Sequence, residues 1–155
     1  MKNTIRILGI TVLMAVICLC LFTSCDTTDD PEKQTVITIT GIPSTYHEKY
    51  AEVILASYSG GALAKPKAVG IGLARKINSS GSVDLEMISH KNFKMLSVEG
   101  TYHVILSFYE NSTAKKEDQI GDSLVALSRP ISKGPTTVSY GSFQGADDFE
   151  YDEED

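Results

Sequence analysis

The side chains able to do covalent or acid–base chemistry are few, and their spacing does not assemble them. Three histidines, His47, His90 and His103, stand far apart along the chain, and no cysteine or carboxylate cluster flanks any of them. A metal site or a general base needs such neighbours, so no metal and no cofactor is expected. His103 lies between Tyr102 and Val104 and is expected on the solvent face of a strand. Serines are abundant, but none stands in a Gly-x-Ser-x-Gly elbow; Gly141-Ser142-Phe143-Gln144-Gly145 lacks a glycine two places after its serine. Asp84 and Glu86 are two residues apart. Paired carboxylates do acid–base work when burial pushes their pKa values apart, but the alternation around these two turns both to water. Gly70 and Gly72, also two apart, leave one strand face bare, with room for a neighbouring backbone or a ligand. They match no phosphate loop, since neither a third glycine nor a Lys-Ser/Thr pair follows. Tyr46 and His47 follow the turn Gly41-Ile42-Pro43-Ser44. Loop tyrosines are frequent binding anchors, so these two are the expected partner contact. The set points away from an enzyme and toward a binding protein.

Charge and cysteine placement narrow the class further. The chain has 155 residues with 14 basic and 20 acidic side chains. Seven of the acids fall in residues 146–155 and four more are Asp26, Asp29, Asp30 and Glu32. The body between keeps nine acids against twelve bases. Acidity thus belongs to two tails, and no basic patch with interleaved aromatics marks a nucleic-acid surface. Residues 146–155 are low in complexity and are expected to be a solubilising, disordered tail. Cys18, Cys20 and Cys25 all lie at the front, so the body has no disulfide and no thiolate nucleophile.

The front of the chain reads as an export signal. Lys2 and Arg6 form a positive start, and Ile7–Phe22 follows with no charge for sixteen residues. That is short of the roughly 20 apolar residues of a bilayer span and suits a signal core. The next residues are Phe22-Thr23-Ser24-Cys25. Small residues at the two positions before a cysteine resemble the lipobox of bacterial lipoproteins, with Phe22 where that pattern usually has Leu. The resemblance covers about 25 residues. It implies that the Cys25 thiol receives a diacylglycerol and that cleavage falls between Ser24 and Cys25, giving residues 1–24 as signal and 25–35 as an acidic, flexible tether. Removal of Lys2 and Arg6 leaves 12 basic against 20 acidic residues, a net −8. More than one acyl chain gives a stable anchor, whereas a single chain holds only marginally. The acidic run after Cys25 is similar to export signals of outer-membrane lipoproteins displayed at the cell surface, which is the location expected here.

The elements that must position everything else are strands. Val36–Thr40 is β-branched throughout and stops at a Gly-Pro turn. Tyr50–Tyr58 places Ala51, Val53 and Leu55 on one side; Ala68–Ala74 is a weaker strand; Ser82–Ile88 alternates Val83, Leu85 and Met87 against Asp84 and Glu86. Gly100–Tyr109 is the strongest, with Tyr102, Val104, Leu106 and Phe108 as its core face. Ser123–Leu127 and Thr136–Phe143 complete seven, with Pro130 and Pro135 bracketing the last turn and Asn111–Asp122 a polar loop carrying one helical turn. No stretch holds a 3.6-residue period. Seven short strands over residues 36–145 predict an all-β, seven-stranded antiparallel sandwich of immunoglobulin-like or transthyretin-like type, with a small β-barrel as the alternative.

The segments TVITITGIPSTYHEKYAEVILAS and GTYHVILSFY resemble β-modules of surface lipoproteins from host-associated bacteria. The shared pattern covers about 35 residues, mostly apolar fold-making positions, and implies a fold and a surface address. The expectation is therefore a lipid-anchored, non-catalytic module that binds a protein or glycan partner. The alternatives are an accessory subunit of an envelope complex and an enzyme whose site is built from scattered loop residues.

Overall fold

The computed structural model describes residues 33–57 and 65–146. The signal, the Ser24–Cys25 junction, most of the tether, Tyr58 and the acidic tail from 147 onward lie outside the described residues.

The described chain is all-β. Its strands are β1 (Val36–Thr40), β2 (Tyr50–Ser57), β3 (Lys67–Lys76), β4 (Val83–Ser89), β5 (Gly100–Tyr109), β6 (Leu124–Ile131), β7 (Pro135–Ser139) and β8 (Gln144–Gly145). Three single 3-10 turns, at Ser44–Tyr46, Lys116–Asp118 and Tyr140–Ser142, complete the elements. The second of them is the helical turn expected inside the polar loop 111–122.

The strands form one open, curled sheet in the order β7-β1-β4-β3-β2-β5-β6-β8. Two separate antiparallel sheets were the sequence-based expectation. The ladder is continuous because β4 changes partner along its length: Val83–Glu86 pair with β1, and Met87–Ser89 pair with β3. One pair, β1 with β7, is parallel, with Val36 opposite Pro135. The expected seventh strand, Thr136–Phe143, ends at Ser139 as β7, where the turn at Tyr140–Ser142 interrupts it, and the two-residue β8 beyond its expected end gives eight. Pro130 does not bracket a turn but lies within β6. Beyond Val125 the strand has lost β8 as its neighbour, and a sheet edge is where a strand tolerates proline.

The inner face carries the main core. Ile37, Ile39, Val53, Leu55, Ile77, Leu85, Met87, Val104, Leu106 and Phe108 are all buried to within 1%. Their alternation is the one read from the sequence: a strand sends every second side chain to the same face. Tyr46 stacks on Phe108, ring centroids 4.0 Å apart and planes inclined by 16°. The bare face of β3 is filled. A Cβ on Gly72 would come within 2.9 Å of Leu85 Cβ and Met87 Sδ, and one on Gly70 would meet Leu96 Cδ2 at 2.3 Å. These glycines admit core side chains, and the room expected there for a ligand is occupied.

The outer face is not wet throughout, contrary to expectation: it is covered over β2, β5 and β6. Register places Ile88, Ile71, Ile54, Ile105 and Val125 opposite one another across β4, β3, β2, β5 and β6. Ile54, Ala56, Ile105 and Val125 form a second buried cluster, with Ala68, Ile71 and Ala146 packed against it. Both faces of β5 are therefore buried over its middle.

Candidate functional site

The outer apolar belt is flanked by two hollows, one toward each end of the strands. The larger, about 530 Å³, is lined by Glu52 and Ile54 of β2, Ser107 and Tyr109 of β5, and Ala114, Lys116, Gln119 and Ser123 of the β5–β6 connection. Glu52 and Ser107 are cross-strand partners, so they share one face beside the belt. The connection is held over them by backbone bonds: Glu110 N–H donates to Asp118 O at 2.9 Å, and Ile120 N–H donates to Phe108 O at 2.8 Å.

Within the hollow, the Ser107 and Ser123 hydroxyls lie 2.7 Å apart, and Gln119 Nε2 donates to Ser123 Oγ at 3.3 Å and to Gly121 O at 3.1 Å. Two serines, a tyrosine, a primary amide, a carboxylate and an ammonium thus line one cavity. Such a set offers donors and acceptors in several directions and suits a ligand with many hydroxyl or amide groups. Activating Ser107 as a nucleophile would require a base in contact with it. Its hydrogen-bonded partner is another serine and its cross-strand neighbour is Glu52, while His103, four residues back on the same strand, is about 13 Å away at the usual rise per residue.

His103 lines the smaller hollow, about 230 Å³, with Ala56, Ser57, Thr101, Tyr102 and Ser128. The sequence placed it half in water; it is only 7% exposed, because the face opposite the core is itself covered. Ser128 N–H donates to its Nδ1 at 3.0 Å, so in the neutral ring the proton sits on Nε2. Burial lowers its pKa below the usual histidine value. The bond bridges the irregular register between Tyr102 and Val104, where Ser128 takes a left-handed φ of 50°. This accounts for the histidine as a buried structural acceptor.

Tyr46 and His47, the expected contact residues, lie outside both hollows. Tyr46 is partly buried against the main core, and His47 Nε2 lies 3.1 Å from Ile42 O. Asp84 and Glu86 face solvent as expected; Thr38 Oγ1 donates to Asp84 Oδ1 at 2.7 Å, and Arg75 pairs with Glu86 at 3.8 Å. Tyr140 is raised in pKa, first by burial and then by Tyr46. Among the described residues no group of three or more His, Cys, Asp or Glu is placed to hold a metal ion.

The residues missed at the sequence level are Glu52, Ser107, Gln119 and Ser123. Ser107 interrupts an otherwise apolar run in β5 and was the one available signal; its partners come from a connection whose path no periodicity reports. Comparison with protein-family models, with curated proteins and with solved structures finds no match.

Proposed function

We propose that this chain is a lipid-anchored, non-catalytic binding module of the bacterial cell envelope, lipidated at Cys25, held at the outer membrane and displayed at the cell surface. Its domain is a half-closed variant of the small immunoglobulin-like or transthyretin-like sandwich. Its ligand is a polyhydroxylated molecule of the glycan class. The observation that carries the binding reading is the hollow formed by Glu52, Ser107, Lys116, Gln119 and Ser123, which is rich in hydrogen-bonding groups. The lipid anchor is supported by the Phe22-Thr23-Ser24-Cys25 sequence behind an uncharged run.

Two measurements test the two halves. Cells expressing the full chain are labelled with radioactive palmitate; label enters the parent protein and is absent from Cys25→Ala, and label in that variant would refute Cys25 as the anchor. The purified full chain is screened by saturation-transfer NMR against glucose, galactose, N-acetylglucosamine and their disaccharides. A sugar that binds should weaken roughly 2- to 12-fold on Ser107→Ala or Gln119→Ala, since each removes a hydrogen bond worth about 0.5–1.5 kcal/mol. Binding unchanged in both variants would place the ligand elsewhere.

A further inference from the structure

We infer that the acidic tail is a strap: residues 147–155 turn back from β8 and lay Phe149 and Tyr151 across the outer apolar belt, over Ile105 and Ile54. The inference draws neither on the lipid anchor nor on the ligand of the hollow.

The first observation is how dry the belt is. Ile105 and Val125 are each 2% exposed, Ile54 is 9% exposed and Ala56 is fully buried. The partly buried apolar residues packed against them are Ala68, Ile71 and Ala146. Ala68 and Ile71 belong to β3, so they lie in the sheet beside the belt and not above it. Side chains stand roughly perpendicular to a sheet. A neighbour on the next strand therefore screens the flank of a side chain and leaves its tip to water. Ile105 stands on β5, with β2 and β6 on either side, and its tip is dry as well. The β5–β6 connection stands over the adjoining row, Glu52 and Ser107, with the hollow beneath it. The belt calls for an apolar cover of its own.

The second observation is where the chain goes next. Ala146 is the last described residue. Its N–H donates to Ser123 O at 3.2 Å, and it already packs against the belt. Residues 147–155 therefore set out from the margin of the patch that needs covering. The strand order β8-β6-β5-β2 puts Ile105 two strand spacings from β8, about 10 Å, and Ile54 three, about 14 Å. Phe149 stands three residues beyond Ala146, a reach of about 10 Å, and Tyr151 stands five beyond, about 17 Å. The two rings of the tail thus fall at the distances of the two isoleucines they cover.

The pattern of the tail is the third. In an extended segment, alternate residues share a face. Phe149 and Tyr151 share one, and Asp148, Glu150 and Asp152 share the other. With the rings down, these carboxylates meet water and no charge is buried. Aromatic rings carry a large apolar area, about 150–250 Å² each, so two of them supply the attraction that a self-repelling acidic segment lacks. The acids do not hold the strap; the rings do. Glu153, Glu154 and Asp155 lie past the last ring and stay solvated, as composition alone implies for the whole tail. Ile54 lines the hollow as well as the belt, so the strap forms the rim of the hollow on the belt side.

The chain contains no tryptophan, so Phe149→Trp installs a unique fluorescent reporter in the full chain, and Glu154→Trp is the solvated control. Emission of the Phe149→Trp protein should lie to the blue of the control, and acrylamide should quench it several-fold less. The protection should persist on dilution and at 1 M salt, where charges are screened beyond about 3 Å. Stability gives a second readout. Phe149→Ala should lower Tm by about 4 °C or more, and a stop codon after Ala146 should lower it at least as far. Ile105→Ala should then shift the folding equilibrium at least about twofold less in the shortened chain than in the full one, because residues in contact are coupled. Equal quenching of the two tryptophans would overturn the inference, as would a Tm indifferent to loss of the tail; the belt would then be covered by another part of the chain. Protection lost in salt would make the contact one of charge, and protection lost on dilution would assign the strap to a second copy. Either result would overturn the docking of the tail on its own sheet.

Discussion

Truncation of Ile105 and Leu106, adjacent residues on opposite faces of β5, tests the two-sided burial of the sheet. Strand alternation read from the sequence alone leaves Ile105 in water, so that Ile105→Ala would cost no more than about 0.5 kcal/mol, the usual surface value. In the structure Ile105 is 2% exposed and Leu106 is not exposed at all. Both side chains have four carbons, so the same number of atoms is removed from each site. Truncation of a buried Leu or Ile costs about 2–5 kcal/mol, depending on how far the site collapses. Leu106 belongs to a cluster of sixteen buried residues, whereas Ile105 belongs to one of four. The thinner patch closes more easily, which puts Ile105→Ala at about 2–3 kcal/mol and Leu106→Ala at about 4–5 kcal/mol. For a domain of roughly 110 residues, 1 kcal/mol lowers Tm by about 4 °C, so Ile105→Ala should melt roughly 8–12 °C below the parent. Urea unfolding of the full chain measures the difference directly, with an unchanged slope showing that the denatured state is the same. A cost for Ile105→Ala below about 0.5 kcal/mol beside a large cost for Leu106→Ala would refute the buried outer belt.

Two further outcomes follow from the packing. Gly72→Ala should destabilise by about 1–3 kcal/mol in the same urea assay, because the new methyl meets Leu85 Cβ and Met87 Sδ at 2.9 Å; a neutral result would mean that the bare face of β3 is not packed. His103 is lowered in pKa by burial from an ordinary value of 6.5, so on acidification the unfolded chain takes up its proton first. Its contribution to stability is complete above pH 6.5 and is lost as the pH falls toward the folded-state value. The urea midpoint of the parent should therefore decline below pH 6.5 more steeply than that of His103→Asn; parallel declines would remove His103 from the pH response.

Sequence alone determined the strands of this protein and the inner face of its sheet. Alternation is a local property, with side chains two apart sharing a face, so Val83, Leu85 and Met87, and Val104, Leu106 and Phe108, are legible without any tertiary knowledge. The five described strands before β6 therefore match their sequence-based positions closely, and β5 matches to the residue. The outer face was decided elsewhere. Ile54 and Ile105 read as neighbours of the core rows, but their burial depends on Ile71, Val125 and Ala146 being brought beside them by register, and register is a relation between distant segments. His103 was misplaced for the same reason, since an alternating strand does not report whether its second face is covered. The single sheet depends on β4 changing partners between Glu86 and Met87, a change that leaves no mark on its composition. The candidate site depends on a non-local relation too: Ser107 and Ser123 are sixteen residues apart, and only the fold of the connection between them brings their hydroxyls to 2.7 Å. Local pattern names the faces a strand can offer; the tertiary structure alone decides which of them meet water.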